Sequence, residues 1–202
     1  MAAYYWLPFR CDTVWAPYFT HAQKGALRNM KHLPYMPVNG RWDRDSERYW
    51  SEDDRGEWSQ VRATDTVKIV THGRKFSTKE VAWLCQDLPA GLISWTAPEM
   101  AAVMKQLTNH VQGPLEWDLL ACFGANMWGL SKSFASRLHE EMLKLGMKGK
   151  LTAYQGATNI GNGQGRQTGS GRFTTGFYMA THKGHTDKQG KLSSELAKTW
   201  VL

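Results

Sequence analysis

The chain has few cysteines and lacks recognisable metal-binding motifs. Cys11, Cys85 and Cys122 are an odd number with no C-x-x-C spacing, and the seven histidines form neither H-E-x-x-H nor His-x-x-x-His. A disulfide scaffold needs paired cysteines, and a zinc site needs clustered thiols or imidazoles. The sequence therefore argues against both, and we expect neither a metal nor an organic cofactor.

Long apolar runs are also missing. No stretch approaches the roughly 18 apolar residues of a membrane helix, and "MAAYYWLPFRCD" has no basic region followed by a long apolar segment. A cleavable secretion signal has both features. We therefore expect no membrane span and synthesis in the cytoplasm, with signal-independent secretion into a target cell left open.

The charge balance is basic but dispersed. Lys and Arg total 25 against 18 Asp and Glu, which gives a net charge of +7. Such a charge suits nucleic acid, an anionic surface or an acidic activator. The one dense basic run, "KLGMKGK" at 144–150, is typical of a helix C-terminus, where cations complement the helix dipole. Nucleic-acid binding is therefore the weaker alternative, and salt-sensitive binding to an oligonucleotide would test it.

The first 60 residues differ from the rest. They hold five of the ten tryptophans, and their hydrophobic periodicity is poor. We predict an irregular, aromatic-rich segment at 1–60 that packs on the core, with a strand near Tyr4–Phe9. Its aromatics are more typical of packing anchors than of a base-stacking surface. Residues 61–202 are predicted to form the main part of a single domain.

From Thr66 onward, strand and helix patterns alternate. "TAPEMAAVMKQLTNHV" opens with Thr96 and Glu99 at capping-box spacing, and "SKSFASRLHEEMLKLG" ends at Gly146, a residue typical of a position just past a helix. This alternation predicts an α/β fold with a mostly parallel sheet. The predicted strands are "TVKIVTHG", "LEWDLLACFG", "GKLTAYQGA" and "RFTTGFYMATHK", the last with a hairpin as alternative, and a short helix is predicted at Ser193–Trp200.

Two predicted strands end in reactive residues. One ends at His72-Gly73 and the other at Ala121-Cys122, and neighbouring parallel strands bring their carboxyl ends to one edge of the sheet. A thiol attacks a carbonyl as the thiolate, which a nearby imidazole promotes. Backbone N–H groups of Gly73 and Cys122 would then stabilise the oxyanion. The pattern predicts nucleophilic catalysis through an acyl-thioester.

Other interpretations of these residues stay open. A lone cysteine on a strand is by default a small core residue. His182 repeats the strand-Thr-His pattern and would be the base if its strand ran parallel and adjacent to that of Cys122. Asp65 and Asp118 are candidates to orient His72, and the sequence assigns the role to neither.

The two blocks "VKIVTHG" and "WDLLACFG" resemble those of the caspase-like (clan CD) cysteine peptidases. This group includes caspases, legumains, gingipains, separases and the self-processing domains of large bacterial toxins. The resemblance covers roughly Thr66 to Tyr154 and is greatest to the toxin branch. It implies a three-layer sandwich with helices on both faces of the sheet. It also implies a Cys122–His72 dyad, an oxyanion hole at Gly73 and Cys122, a protein or peptide substrate, and an effector or toxin role.

The sequence also departs from that family. Asp118 interrupts the second hydrophobic block, and the caspase pentapeptide is absent, so aspartate specificity is not implied. The toxin domains bind an inositol polyphosphate, but no basic cluster here matches that site, so a small-molecule activator stays unassigned. The oligomeric state is unassigned too. A catalytically degenerate binding module on the same fold is the alternative function.

A glycine-rich stretch at 161–171 lacks the spacing of a phosphate-binding loop. In the resembling family, loops after the third strand help to form the substrate cleft. We therefore take Tyr154, Arg166 and Arg172 as candidate substrate-binding residues, with the two arginines suited to an acidic side chain.

Overall fold

A six-stranded sheet organises the part of the chain that the computed structural model describes. That part comprises residues 1–6, 8, 31–33, 58–73, 78–84, 92–127, 129–155, 157–160, 177–180 and 197–202. Its strands are β1 (Ala3–Trp6), β2 (Lys31–Leu33), β3 (Thr66–Val70), β4 (His72–Gly73), β5 (Glu80–Leu84), β6 (Leu92–Thr96), β7 (Leu115–Leu120), β8 (Gly149–Tyr154), β9 (Ala157–Ile160), β10 (Phe177–Ala180) and β11 (Ala197–Val201). Its helices are α1 (Ala97–Leu107) and α2 (Phe134–Lys144).

The central sheet has the order β2-β1-β3-β7-β8-β11. The first five strands in this order run parallel, and β11 pairs antiparallel with β8 at one edge. The predicted α/β fold with a mostly parallel sheet is therefore confirmed. The chain reverses its direction of winding between β1 and β3, and such a switch point leaves a crevice at the carboxyl ends of the strands.

Both helices pack on one face of the sheet. Alternate strand residues such as Ile69 and Leu119 point to this face and are buried in one cluster with Met104 of α1 and Leu138 of α2. Apolar residues recur along each helix at the spacing of one face, which is why both helices can cover the same apolar surface. The hydrophobic effect of this burial is the main force that holds α1 and α2 to the strands.

The helix ends follow the sequence signals. The Glu99 carboxylate accepts the Thr96 backbone N–H and hydroxyl, both at 2.8 Å, at the start of α1. After α2, Gly146 adopts a positive φ of 64°. Its N–H donates to the Leu143 carbonyl, while the Met147 N–H donates to Met142, both at 3.0 Å. This is the hydrogen-bonding pattern of a Schellman motif, and glycine adopts its left-handed position without a Cβ penalty.

The N-terminal residues enter the sheet itself. The strand predicted near Tyr4–Phe9 is present as β1. Together with β2 it extends the central sheet, whereas the sequence predicts a segment that packs on the core. Trp6 packs edge-on against Trp58 with ring centroids 5.4 Å apart, and both side chains are buried. These two tryptophans therefore pack as predicted for anchors. The boundary at residue 60 stays a prediction.

The C-terminal prediction was wrong. Residues 197–200, predicted within a helix at Ser193–Trp200, belong instead to strand β11. Here β8 offers an unpaired strand edge, and pairing with it satisfies the backbone N–H and C=O groups of both segments. This tertiary requirement outweighs a weak local helix preference.

Three short strands, β4, β5 and β6, form a separate antiparallel sheet between β3 and α1. Strands β9 and β10 pair antiparallel in a third, two-stranded sheet. The strand predicted in "RFTTGFYMATHK" is present as β10, and the rest of that stretch lies outside the described residues. Among the helices described, none is long and apolar enough to cross a membrane.

Candidate active site

The register of β3 and β7 brings the two reactive segments to one edge of the sheet. These strands are parallel neighbours, and Val70 lies opposite Leu120. The Thr71 N–H donates to the Leu120 carbonyl at 3.4 Å, so the pairing continues past the end of β3. Two residues beyond Val70 and Leu120 stand His72 and Cys122, both at the carboxyl edge where α/β sheets bind ligands.

Gly73 lies directly against the backbone of Cys122. A Cβ added at Gly73 would approach the Cys122 carbonyl carbon to 2.7 Å and the amide nitrogen to 3.1 Å, and it would overlap the carbonyl oxygen. Only glycine fits at this position, because the neighbouring atoms are backbone and cannot rotate away. The structure therefore brings the Gly73 and Cys122 backbones together, and their role as an oxyanion hole stays a prediction.

A tight turn presents Cys122 beyond the end of β7. The Gly124 N–H donates to the Ala121 carbonyl at 3.1 Å, so Cys122 and Phe123 occupy the two central positions. Phe123 has a φ of 59°, which a type II turn requires at this position and which glycine or asparagine normally supplies. A left-handed backbone conformation is strained at a bulky residue, and residues with such strain are concentrated at functional sites.

Neighbouring elements hold this turn in place. The Ala125 N–H donates to the Tyr154 carbonyl at 2.9 Å, and the Ala135 N–H at the start of α2 donates to the Gly124 carbonyl at 3.0 Å. The turn is therefore fixed between the end of β8 and the beginning of α2. The Cys122 side chain itself is partly exposed, as a nucleophile must be to reach a substrate.

Several predicted site residues lie partly or wholly beyond the described part of the chain. The structure describes His72 through its backbone in β4, whose partner in β5 is Ala82. Arg166, Arg172 and His182, with the glycine-rich stretch, lie outside the described residues. The strand before His182, β10, pairs antiparallel with β9 rather than parallel with a central strand, so the condition for His182 as base is not met.

Asp65 does not orient His72. It precedes β3, at the opposite end of that strand, which places it about 20 Å from the His72 backbone at the usual strand rise. Its carboxylate accepts the Ala2 N–H at 2.6 Å and the Arg62 N–H at 2.9 Å. Asp65 therefore ties the N-terminus to the beginning of β3.

Asp118 lies in mid-strand on the sheet face opposite the helices. Its Oδ2 accepts a hydrogen bond from Lys68 Nζ of β3 at 2.6 Å, and both side chains are largely buried. Asp118 stands four residues before Cys122 and so cannot reach the sheet edge that carries His72 and Cys122. Sequence reasoning missed Lys68, although the 50-residue separation between His72 and Cys122 equals the offset at which β3 pairs with β7, and this offset sets Lys68 opposite Asp118.

Tyr154 ends β8 on the same face as Asp118. Its side chain is 7% exposed, which leaves little surface for a substrate. Burial raises the pKa of its hydroxyl, and the Asp118 carboxylate raises this pKa further through its charge and by accepting a hydrogen bond. Tyr154 thus faces the interior of the protein, and its role as a substrate-binding residue stays a prediction.

The described residues also form a cavity of about 270 Å³. It lies where β7 and β8 begin, at the end of the sheet opposite Cys122, and its lining includes Lys105, Trp117 and Lys148. This cavity takes no part in the candidate site. No group of three or more His, Cys, Asp or Glu residues within the described ranges is arranged to hold a metal ion.

Comparison with protein-family models gives no match for this chain, and comparison with curated protein sequences gives none either. The function is therefore inferred from the geometry of the site and from the resemblance of its two sequence blocks.

Proposed function

We propose that the protein is a cysteine endopeptidase of the caspase-like type, with Cys122 as nucleophile and His72 as general base. The observation that carries this proposal is the contact between the Gly73 and Cys122 backbones at the carboxyl ends of two parallel strands. A structural cysteine needs no such neighbour, whereas an acyl-transfer site needs backbone donors beside its nucleophile.

The proposed reaction has two stages. His72 accepts the thiol proton, and the Cys122 thiolate attacks the peptide carbonyl to give a tetrahedral oxyanion, which the N–H groups of Gly73 and Cys122 stabilise. His72 then protonates the leaving amine, and an acyl-thioester forms on Cys122. Water hydrolyses this ester with His72 again as base, which restores the free thiol and releases the acid. These steps use no metal or organic cofactor.

The strain at Phe123 supports this proposal. A left-handed φ on a bulky residue costs about 1–2 kcal/mol, yet here Phe123 adopts it in the turn that follows β7 and contains Cys122. Two further backbone hydrogen bonds, from Ala125 and Ala135, hold the turn in this conformation. Such strain persists where the surrounding structure fixes it, and presenting a nucleophile is a recognised use.

The proposal includes the finer fold that the resemblance implies, a three-layer sandwich. Supporting it, the sheet face away from α1 and α2 is buried too: Tyr5 is 1% and Leu120 2% exposed. A third layer that covers this face would account for the burial. An effector or toxin role is the most specific part of the proposal and depends on the resemblance alone.

Peptidase activity is tested directly by sequencing new N-termini in a digested proteome. A lysate is incubated with the wild type or with Cys122→Ala, and peptides are compared by mass spectrometry. We expect termini that occur with the wild type alone, and the residues before them would define the specificity. If both samples give the same termini, and if Cys122 alkylates no faster than a thiol in the unfolded chain, the proposal is wrong.

A further inference from the structure

The cavity of about 270 Å³ where β7 and β8 begin has no role in the reaction described above. Trp117, which lines it, stands five residues before Cys122, a separation of about 16 Å at the usual strand rise. An apolar cavity of about 150 Å³ already admits benzene. The space is therefore large enough for a small organic molecule, and it is separate from the candidate active site.

Hydrogen bonds fix the walls of this cavity. At the end of α1, the Thr108 hydroxyl donates to the Met104 carbonyl at 2.7 Å, and the Val111 N–H donates to the Thr108 carbonyl at 2.9 Å. On the strand side, the Leu115 N–H donates to the Lys148 carbonyl at 3.0 Å. The cavity is therefore preformed, as is usual for small-molecule sites.

The inner wall of the cavity is apolar. Leu115, Trp117 and Met147 line it, and all three are buried. Apolar surface of this kind favours a ligand with an apolar body. The indole Nε1 of Trp117 is a buried donor with no acceptor among the described residues. The wall therefore suits an apolar molecule that carries acceptors better than one that carries donors.

The outer part of the cavity is cationic. Lys105 and Lys148 line it, and neither ammonium group has a carboxylate partner within the described part of the chain. By contrast, Lys144 and Lys150, the lysines on either side of Lys148 in sequence, each pair with a glutamate. No aspartate or glutamate is among the described residues that line the cavity. The lining is therefore positively charged and lacks a counter-charge of its own.

The helix dipole accounts for only one of these two lysines. Lys105 lies in the last turn of α1, where a cation complements the dipole. Lys148 lies four residues beyond the end of α2, and the dipole effect falls off within the last turn. Two ammonium groups without a counter-charge, beside a buried apolar wall, match a ligand that is apolar at one end and anionic at the other.

We propose that this cavity is a binding site for a small organic acid, whose apolar body packs against Trp117 and whose carboxylate is held by Lys105 and Lys148. The amide side chains of Asn109 and Gln112 also line the cavity and supply further donors. The site is independent of the proposed peptidase activity, because Cys122 is not among its lining residues.

The test is the binding of 2-naphthoate to the full chain, measured by equilibrium dialysis at pH 7. We expect a Kd below about 1 mM, which is typical of the ligand efficiency of a molecule of this size. 2-Naphthamide has the same rings without the charge, and inorganic phosphate has the charge without the rings. Each should bind at least roughly 10-fold more weakly, the phosphate measured as a competitor of 2-naphthoate.

A double variant, Lys105→Gln with Lys148→Gln, locates the site. Both side chains are at least partly exposed, so we expect a folded protein that binds 2-naphthoate roughly 10-fold more weakly, as loss of two exposed charge contacts implies. Lys198→Gln is the matched control. Lys198 is also exposed and has no carboxylate partner among the described residues, but it lies on β11 and does not line the cavity. This control should bind 2-naphthoate as the wild type does.

Several results would each overturn the proposal. A Kd of the wild type above about 1 mM would exclude the acid, and equal affinity for 2-naphthamide would exclude recognition of its charge. Equal affinity for inorganic phosphate would show that the apolar wall contributes nothing. Wild-type affinity in the double variant, or an equal loss of affinity in Lys198→Gln, would show that 2-naphthoate binds elsewhere.

Discussion

Glycine at position 73 lets two backbones approach more closely than a side chain would allow. The contact is with the Cys122 carbonyl and amide, which belong to the turn that presents the thiol. This requirement is steric, unlike that at Gly146, where the left-handed φ demands glycine. Even a methyl group added at Gly73 would therefore displace the backbone of the residue that carries the thiol.

We expect Gly73→Ala to lower peptidase activity roughly 100-fold, since a displaced oxyanion donor costs that much. The unfolding free energy should fall by about 1–3 kcal/mol because the added methyl overpacks the site. Activity assays and urea denaturation measure the two effects. Gly129→Ala is the control: its φ of 60° strains alanine, but no atom lies within 4 Å of the added Cβ. It should lose stability alone, and retained activity in Gly73→Ala would contradict the account.

The residues of the candidate site were predictable to different degrees. A strand that ends in His-Gly and another that ends in Ala-Cys are visible in the sequence, and they predict two parallel neighbouring strands that end at one edge of the sheet, as β3 and β7 do. The φ of Phe123 was not predictable, because bulky residues rarely adopt this conformation. The position of Asp65 at the far end of β3 was not predictable either. Two residues that are near each other in sequence can lie far apart in space when an extended strand separates them.

At the scale of elements, α2 supports the site through its first turn. Ser133 caps the helix, and its Oγ accepts the Ser136 N–H at 3.1 Å while the side chain is buried. Ala135, the second residue of the helix, donates its N–H to the Gly124 carbonyl. The start of α2 therefore contains both the helix cap and a hydrogen bond to the turn that carries Cys122.

We expect Ser133→Ala to reduce the unfolding free energy by about 1 kcal/mol, as the loss of a helix cap does. Urea denaturation followed by circular dichroism measures the change. Ser131→Ala serves as control, because Ser131 is exposed and precedes the cap, and it should change stability by less than about 0.5 kcal/mol. Equal stability of the two variants would show that the cap contributes nothing.

Elements with strong local signals were predicted well, and those fixed by tertiary pairing were not. The caps and apolar stripes of α1 and α2 are local features, and they placed both helices within a few residues. Strand β11 exists because β8 has an edge to pair with, and β1 joins the sheet because β3 lies beside it. No local pattern in the chain contains that information.

For the molecule as a whole, the two faces of the sheet differ in character. The face covered by α1 and α2 is largely apolar, whereas the opposite face carries the Lys68–Asp118 pair and the hydroxyl of Tyr154. This polar chemistry makes the stability sensitive to pH. Because the folded state raises the pKa of Tyr154, its contribution is complete below the unfolded value of 10.0 and is lost as the pH rises above it.

We expect the wild type to lose stability above pH 10 more steeply than Tyr154→Phe, which has no phenol to ionise at this position. Urea midpoints at several pH values from neutral to alkaline provide the measurement. Tyr4 also has a raised pKa and titrates in both proteins, so the difference between the two curves isolates Tyr154. Parallel curves would show that the environment of Tyr154 does not oppose ionisation.

The central claim is that Cys122 and His72 act together, and the pH dependence of Cys122 alkylation tests it most directly. An ordinary thiol has a pKa of about 8.5, and an adjacent imidazole lowers that value. The account predicts that the alkylation rate of the wild type rises with an apparent pKa well below 8.5, and that His72→Ala returns this pKa to the ordinary range. The same ordinary pKa near 8.5 in both proteins would contradict it.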